Sequence, residues 1–479
     1  MNRIVGLETE YGCLVNTDDR QGGPDAFPIR VKNHLFKQAH IGAIDLHYRD
    51  YEEPPGNGGF LLNGGRLYLD MGHIEYSTPE CLSLRDIVSY DRAGDLLLQQ
   101  ALEQMGIADK VSFLKNNIDH QTGATFGCHE NYLMKRGAQF TPQVLGALLS
   151  FLATRQIFSG AGRVGQANPL AFEFDHNRHE QPVHFQISQR ADHIVNDIYQ
   201  WVQFNRAIIN ARDEPLADYR KYRRLHLLIG DSNMNEYATA LKAGTTSLVL
   251  DLLEDGIVPK RVGLMDPVQS TREISRDMHY RWLARLENGQ TRTALEIQQA
   301  FLALAKHYLA GDEENNWIIR EWESVLAGLE KDPMSQVGKI DWVAKKWLLE
   351  TFQQQEHLNW DDPWLQSLDL EYHNLDPRRG LYFALAEQGR VERVLSPERV
   401  VFCAENPPAN TRAQARGIAV RYLRDRASNY IINWDSIAVE NKDPLVMGNP
   451  FHPYRTEVAR LLSEPQDEAG TTSPPATAH

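Results

Sequence analysis

Alternating polar and apolar positions mark the first 130 residues, whereas apolar positions three and four apart dominate after residue 235. Residues 3–12 alternate as a strand, with Ile4, Gly6, Glu8 and Glu10 on one face and Val5, Leu7, Thr9 and Tyr11 on the other. Asn63-Gly64-Gly65 reads as a turn into a second strand over 66–70, where Arg66, Tyr68 and Asp70 share a face. From Ser83 to about Met105 an apolar stripe of Leu84, Ile87, Val88, Leu96, Leu97, Leu98 and Leu102 predicts a helix. Further strands are expected at 111–116, 124–134, 183–188 and 224–229, and helices at 235–254, 292–309, 314–330, 339–355 and 379–388. Strands followed by helices predict an α+β fold.

Gly, Pro and Asp crowd the stretch from about 16 to 60, including Asp50-Tyr51-Glu52 and Pro54-Pro55-Gly56-Asn57-Gly58-Gly59, which predicts an inserted or mobile loop. The chain divides into a catalytic body over 1–398 and a small C-terminal domain over 399–462. Residues 463–479, polar and rich in Pro, Thr and Ala, are expected to be a disordered tail. Hydrophobic residues at 42% and charged residues at 24% of 479 positions suit an ordinary globular protein. The net charge of -14 argues against general nucleic-acid binding, which needs a basic surface. No apolar run approaches the roughly 20 residues of a membrane span, and Glu8 and Glu10 interrupt any signal-peptide core. Cys13, Cys81, Cys128 and Cys403 form no CxxC pair, so the expectation is a cytoplasmic protein.

Glu8 and Glu10 point the same way about 7 Å apart along their strand, a placement suited to a hard cation such as magnesium or equally to a solvated strand face. On the second strand Arg66 can hold a phosphate and Asp70 can act as base or nucleophile, while nearby Glu75 can ligate a metal. The commoner role of an isolated Asp at a strand end is to support a turn. Glu130, on the face of Cys128 and Tyr132, is a further candidate metal carboxylate. Cys128 lacks the companions of a nucleophile and reads as a small buried residue. Arg224 and His226 share a strand face and pair a phosphate-binding cation with a metal-binding imidazole. Gly160-Ala161-Gly162-Arg163-Val164-Gly165 matches GxGxxG but follows a helix rather than a strand, and His179 to His184 contains a Pro and is one residue too long for HExxH. There is no P-loop, so any ATP must bind in another way.

These patches resemble, in order, the family of Pup ligases and Pup deamidase/depupylases. The resemblance rests on Gly6-Leu7-Glu8-Thr9-Glu10-Tyr11-Gly12, Asn63-Gly64-Gly65-Arg66-Leu67-Tyr68-Leu69-Asp70, Lys115-Asn116-Asn117 and Gly127-Cys128-His129-Glu130-Asn131-Tyr132-Leu133. It continues through Ser188-Gln189-Arg190, Arg212-Asp213-Glu214-Pro215, Tyr222-Arg223-Arg224-Leu225-His226 and Gly230-Asp231-Ser232-Asn233. It implies a glutamine synthetase-like curved antiparallel sheet cradling ATP and Mg2+, closed at one end by the small C-terminal domain. It further implies Glu8, Tyr68 and Glu75 as metal ligands, with Glu10, Glu130 and His226 as weaker additions. Arg66, Thr78 and Trp434 would contact ATP, Arg212 and Arg224 its phosphates, and Asp70 would be the catalytic carboxylate. The partners implied are a Pup-like modifier and its conjugates, and the proteasomal degradation pathway indirectly.

Two branches of that family run opposite chemistry. The five-residue step from Asp70 to Glu75, together with Gly162 to Gly165, Lys331-Asp332-Pro333-Met334, Glu405-Asn406-Pro407-Pro408 and Trp434-Asp435-Ser436, resembles the deamidase/depupylase branch. Cys128, Thr78 and Asp231-Ser232-Asn233-Met234 resemble the ligases. The expectation is an ATP-Mg-dependent hydrolase, a deamidase/depupylase acting at the C-terminal Gln or isopeptide linkage of a Pup-like modifier. The alternative is a ligase that joins the modifier's C-terminal Glu to a substrate Lys through a glutamyl phosphate.

Overall fold

The structure is a computed structural model that describes residues 3–16, 26–49, 53–120, 122–165, 183–201, 206–426 and 429–463. The N-terminal half runs β1 (Val5–Val15), α1 (Ala26–Lys37), β2 (Gly42–Ile44), β3 (Gly58–Leu61), β4 (Arg66–Asp70), β5 (His73–Ser77) and α2 (Leu84–Gln104). It continues with β6 (Val111–Leu114), β7 (Cys128–Lys135), α3 (Pro142–Thr154), α4 (Gln156–Ser159), β8 (Arg163–Val164) and β9 (Phe185–Gln186). Then come β10 (Asn196–Tyr199), β11 (Ala207–Asn210), β12 (Tyr222–Leu227) and α5 (Glu236–Glu254). Ten of these strands form one sheet in the order β10-β11-β12-β7-β1-β5-β4-β3-β2, with β6 pairing the far half of β1. Among the described residues only β10 and β11 pair in parallel within this sheet, so the α+β expectation describes the fold.

Period-two patterning gives β1 its two faces. Val5, Leu7, Thr9 and Tyr11 are buried, and the Tyr11 hydroxyl donates to Asp95 of α2 at 2.7 Å. Glu8 and Glu10 therefore face the other side of the sheet. Helix α2 starts where Ser83 accepts from the Asp86 backbone N–H at 3.0 Å, an N-cap that satisfies one of the unpaired donors of the first turn. Among the described residues, no helix is long and apolar enough to cross a membrane.

The stretch 16–60, expected to be a loop, contains α1, β2 and β3. Phe27, Val31, Leu35 and Phe36 are buried on one side of α1, a helical spacing that the flanking Gly and Pro residues hide. Residues 17–25, 50–52, 166–182 and 464–479 lie outside the described residues, and with them Asp50-Tyr51-Glu52, most of His179 to His184, and nearly all of the expected tail.

A second apolar cluster joins Ala43, Phe60 and Leu62 at the sheet edge to Val420, Leu423, Ile437 and Val458 near the C-terminus. Glu80 pins the two parts together. Arg412 Nε donates to it at 2.7 Å, and Arg416 pairs with it while donating to the Trp434 carbonyl at 2.8 Å and the Gly64 carbonyl at 2.9 Å. Burial alone would raise the Glu80 carboxyl, yet the charges of Arg416 and Arg412 bring it down to about 2.

Candidate active site

A cavity of about 350 Å³ opens between the sheet and the C-terminal strands Tyr430–Ile432, Ser436–Val439 and Leu445–Val446, lined by Glu8, Arg66, Tyr68, Thr78, Arg212, Arg224, His226 and Trp434 among others. The sheet register explains how residues far apart in sequence meet there. Across β1, Glu8 stands opposite Ser77 of β5 and His129 of β7, and Glu10 opposite Glu75. Across the β4–β5 hairpin, Tyr68 stands opposite Glu75 and Asp70 opposite His73.

Two acid-centred groups result. Glu8, His129 and His226 can each offer a ligand atom, all within 4.8 Å of one another, and Glu10, Asp70 and Glu75 can do the same. In the first group His129 Nδ1 lies 3.3 Å and His226 Nε2 3.5 Å from Glu8 Oε2, while Asn131 Nδ2 donates to Oε1 at 2.9 Å. Burial would raise Glu8, but the hydrogen bonds of His129 and His226, and their charge when protonated, hold it well below the usual carboxylate range. Burial brings His226 itself down to about 4, so it is a neutral ring with a lone pair to offer at neutral pH.

The second group behaves oppositely. Burial, then the charges of Glu8, Glu10 and Asp70, push Glu75 well above the usual range, although the Tyr68 hydroxyl donates to it. Crowded buried carboxylates of this kind fit a hard divalent cation, because the cation supplies the charge that a retained proton otherwise supplies. Oxygen donors alone suit magnesium better than the imidazole-bearing first group does.

Other expected residues fall in different places. Arg66 reaches the cavity while its Nη2 is held by Asp45 at 3.1 Å and Glu53 at 2.5 Å. Thr78 Oγ1 accepts from the Leu7 backbone N–H at 3.0 Å. Trp434 lies edge-on to Phe60 at 5.1 Å and beneath the Arg416 guanidinium at 4.8 Å. Arg224 donates to Asn131 Oδ1 at 3.3 Å, and Arg212 is half exposed beside Glu214 at 3.6 Å.

Glu130 does not join the site. It pairs with Leu7 across the sheet, which turns it to the helical side, where it is 0% exposed and ion-paired with Arg155. The residues beside it, His129 and Asn131, take the place expected of it, and neither was singled out from the sequence. Strand alternation carried the signal, but only the pairing with β1 decides which set of β7 side chains faces Glu8. Cys128 lies on the same inner side as Glu130, and burial pushes its thiol up, which makes it a poor nucleophile.

A profile of the Pup-ligase protein family matches residues 3–438. The chain is 37% identical over 475 residues to the Pup–protein ligase of Kineococcus radiotolerans, covering 96% of this chain and 99% of that one. It is 36% identical over 479 residues to the Pup–protein ligase of Acidimicrobium ferrooxidans, covering 96% and 98%. The crystal structure of the complex between Pup and its ligase PafA superposes with a TM-score of 0.82 at 34% identity, covering 96% of this chain and 91% of that one. The PafA structure in complex with ADP gives 0.75 at 34% identity, covering 95% of each. Full-length relatives that carry the ligase name overturn the deamidase/depupylase expectation and the hydrolase class with it. The five-residue step that favoured hydrolysis has a plain geometric origin: Met71 and Gly72, with φ of 44° and 96°, make the two-residue turn of the β4–β5 hairpin. Such a turn sets which side chains face each other, not which way a reaction runs, and on the full-length match the chain belongs to the Pup-ligase protein family.

Proposed function

We propose that this protein is an ATP- and magnesium-dependent ligase that joins the C-terminal side-chain carboxylate of a Pup-like modifier to lysine amines of target proteins. What supports it most is a cavity lined by Glu8, Arg66, Arg212, Arg224 and Trp434, with the carboxylates of Glu10, Asp70 and Glu75 clustered further along the strand that carries Glu8. The aromatic ring and the arginines suit a nucleotide's base and phosphates, and the carboxylate cluster suits the cation that accompanies them.

In this reading Arg66, Thr78 and Trp434 contact the nucleotide, and Arg212 and Arg224 its phosphates. Glu8, Tyr68 and Glu75, with Glu10 and His226, hold magnesium, which when bound neutralises the phosphates. The γ-phosphoryl group passes to the modifier's carboxylate, releasing ADP and leaving an acyl phosphate. A lysine amine then attacks the acyl carbon, phosphate departs with the bonding electron pair, and Asp70 takes the proton the nitrogen loses. The body over 1–398 carries the chemistry, and the unit over 399–462 supplies Trp434. The enzyme works in the cytoplasm, a placement supported by four cysteines that form no CxxC pair, and its conjugates feed proteasomal degradation.

Purified protein incubated with Mg-ATP, a modifier ending in Glu and a lysine-bearing target is expected to yield a conjugate with one ADP per bond. No conjugate, with preformed conjugates cleaved instead, would overturn the reading.

A further inference from the structure

Two sequence motifs, Lys115-Asn116-Asn117 and Gly230-Asp231-Ser232-Asn233, have no task in the ligase reading. The fold brings them together behind the carboxylate cluster. Asn117 is 0% exposed, and every polar group it carries is bonded. Its Nδ2 donates to the Phe126 carbonyl and to Ser232 Oγ, both at 3.0 Å, and its Oδ1 accepts from the Ser232 backbone N–H at 2.7 Å. Its backbone N–H donates to Gln189 Oε1 at 2.6 Å, and its carbonyl accepts from the Thr125 hydroxyl at 2.7 Å and the Phe126 N–H at 3.3 Å. A buried carboxamide engaged at both ends has one orientation, because any rotation strands a polar group away from water.

What Asn117 fixes is the segment entering β7. The Phe126 carbonyl, which also accepts from Arg190, is held from two sides, and the Phe126 ring stacks at 4.9 Å on His73, the residue opposite Asp70. The next residue, Gly127, meets Glu10 twice: its carbonyl accepts from the Glu10 N–H at 3.1 Å, and its N–H donates to Glu10 Oε1 at 2.7 Å. The direction in which the Glu10 carboxylate reaches Asp70 and Glu75 is therefore set by where Gly127 sits. Nothing larger fits there undisturbed. A methyl group on Gly127 would meet the His129 ring and come within 2.7 Å of Glu10 Oε1, atoms of both acid-centred groups. Both obstacles are ends of side chains rather than backbone, so they can yield without undoing the sheet.

We propose that Asn117 is a positioning residue of the cation site: by fixing the Phe126 carbonyl it places Gly127, and through the Gly127 N–H it aims Glu10 at the cation shared with Glu75. The inference rests on the ligase reading, in which Glu10 helps to hold magnesium, and extends the site to a residue that touches neither metal nor substrate. A carboxylate held in advance loses little freedom when the ion arrives, which is what such outer support contributes to affinity.

The test reads the dissociation constant of Mn2+ for nucleotide-free protein, from the paramagnetic resonance signal of the free ion. That constant belongs to folded molecules alone, so a residue that only holds the fold together lowers the number of binding sites and leaves the constant where it was. Asn117→Ala is expected to raise it about 10- to 100-fold, the loss usual when the hydrogen-bonded support of a metal ligand is removed. Gly127→Ala, which crowds Glu10 and His129 directly while keeping the bonds of Asn117, is expected to raise it by a similar factor, and it decides the outcome if Asn117→Ala does not fold. Thr125→Val removes the hydroxyl bond to the Asn117 carbonyl but leaves the carboxamide on Phe126, and is expected to bind Mn2+ as the wild type does. The Mg2+ concentration that half-saturates conjugation is expected to rise in step with the Mn2+ constant. An unchanged constant in Asn117→Ala or Gly127→Ala, or a rise in Thr125→Val as large as that in Asn117→Ala, would overturn the positioning role. Failure of the wild type to bind Mn2+ would instead overturn the cation site of the ligase reading.

Discussion

Glu8 and Glu10, two residues apart on one strand, head regions with opposite electrostatic character. Around Glu8 the protein supplies its own compensation: His129, His226 and Asn131 keep the carboxylate ionised. Around Glu10 it supplies more acid, so that Glu75, facing Asp70 and both strand glutamates, is pushed toward holding a proton. The same residue type becomes a settled anion in one place and a cation-seeking group in the other, and the difference comes entirely from what the adjacent strands bring alongside.

The largest effect is expected at Asp70. If it is the proton acceptor, Asp70→Asn lowers single-turnover conjugation by about 10²–10⁴-fold while calorimetric titration shows ATP binding intact. Full retained activity would return Asp70 to a mere partner of Glu10 and Glu75. Next come the adjacent residues of β7, which separate site from scaffold. Glu130→Gln leaves Arg155 as an uncompensated buried charge and is expected to cost about 3–5 kcal/mol in denaturant unfolding. His129→Ala is expected to cost less stability than Glu130→Gln but to weaken divalent-cation affinity about 10–100-fold, read by Mn2+ titration.

The smallest effect is in pH dependence and has opposite sign in the two regions. From the ordinary Glu value of 4.5 upward, folded metal-free protein keeps the Glu75 proton that the unfolded chain has lost, so this group's contribution to stability falls as pH rises. The Glu8 contribution is fully present above 4.5 and is lost as pH falls through its lower folded value. Thermal unfolding of Glu75→Gln should flatten the first slope and that of Glu8→Gln the second. Saturating Mg2+ should flatten the first slope without mutation; a slope that ignores Mg2+ would remove Glu75 from the cation site.

The sequence made one half of this comparison easier to read than the other. Alternation alone aligned Glu8 with Glu10 and Arg66 with Tyr68 and Asp70, because a strand with one core face leaves no choice of register. It also placed α2, whose cap and apolar stripe agree. His129 and Asn131 escaped because β7 carries polar residues on both faces, with Glu130 neutralised internally by Arg155, a partner 25 residues away. Asp45 and Glu53, which hold Arg66, escaped because Gly- and Pro-rich flanks masked the pattern of the segment around them. The direction of the reaction was the deepest miss. Making and breaking an isopeptide bond call for the same carboxylates in the same order, so motif chemistry identified the family while the branch had to come from full-length relatives.

If the nucleotide rests on Trp434, as proposed, the Glu80 junction makes a second reporter of its binding. Because Arg416 grips the Glu80 carboxylate, the Gly64 carbonyl and the backbone of Trp434 at once, local opening of the C-terminal strands cannot release Trp434 without disturbing that junction. A ligand that leans on Trp434 therefore stabilises amides well beyond its own footprint. Slowed hydrogen exchange across 413–462 would register ATP occupancy even in a variant that performs no chemistry.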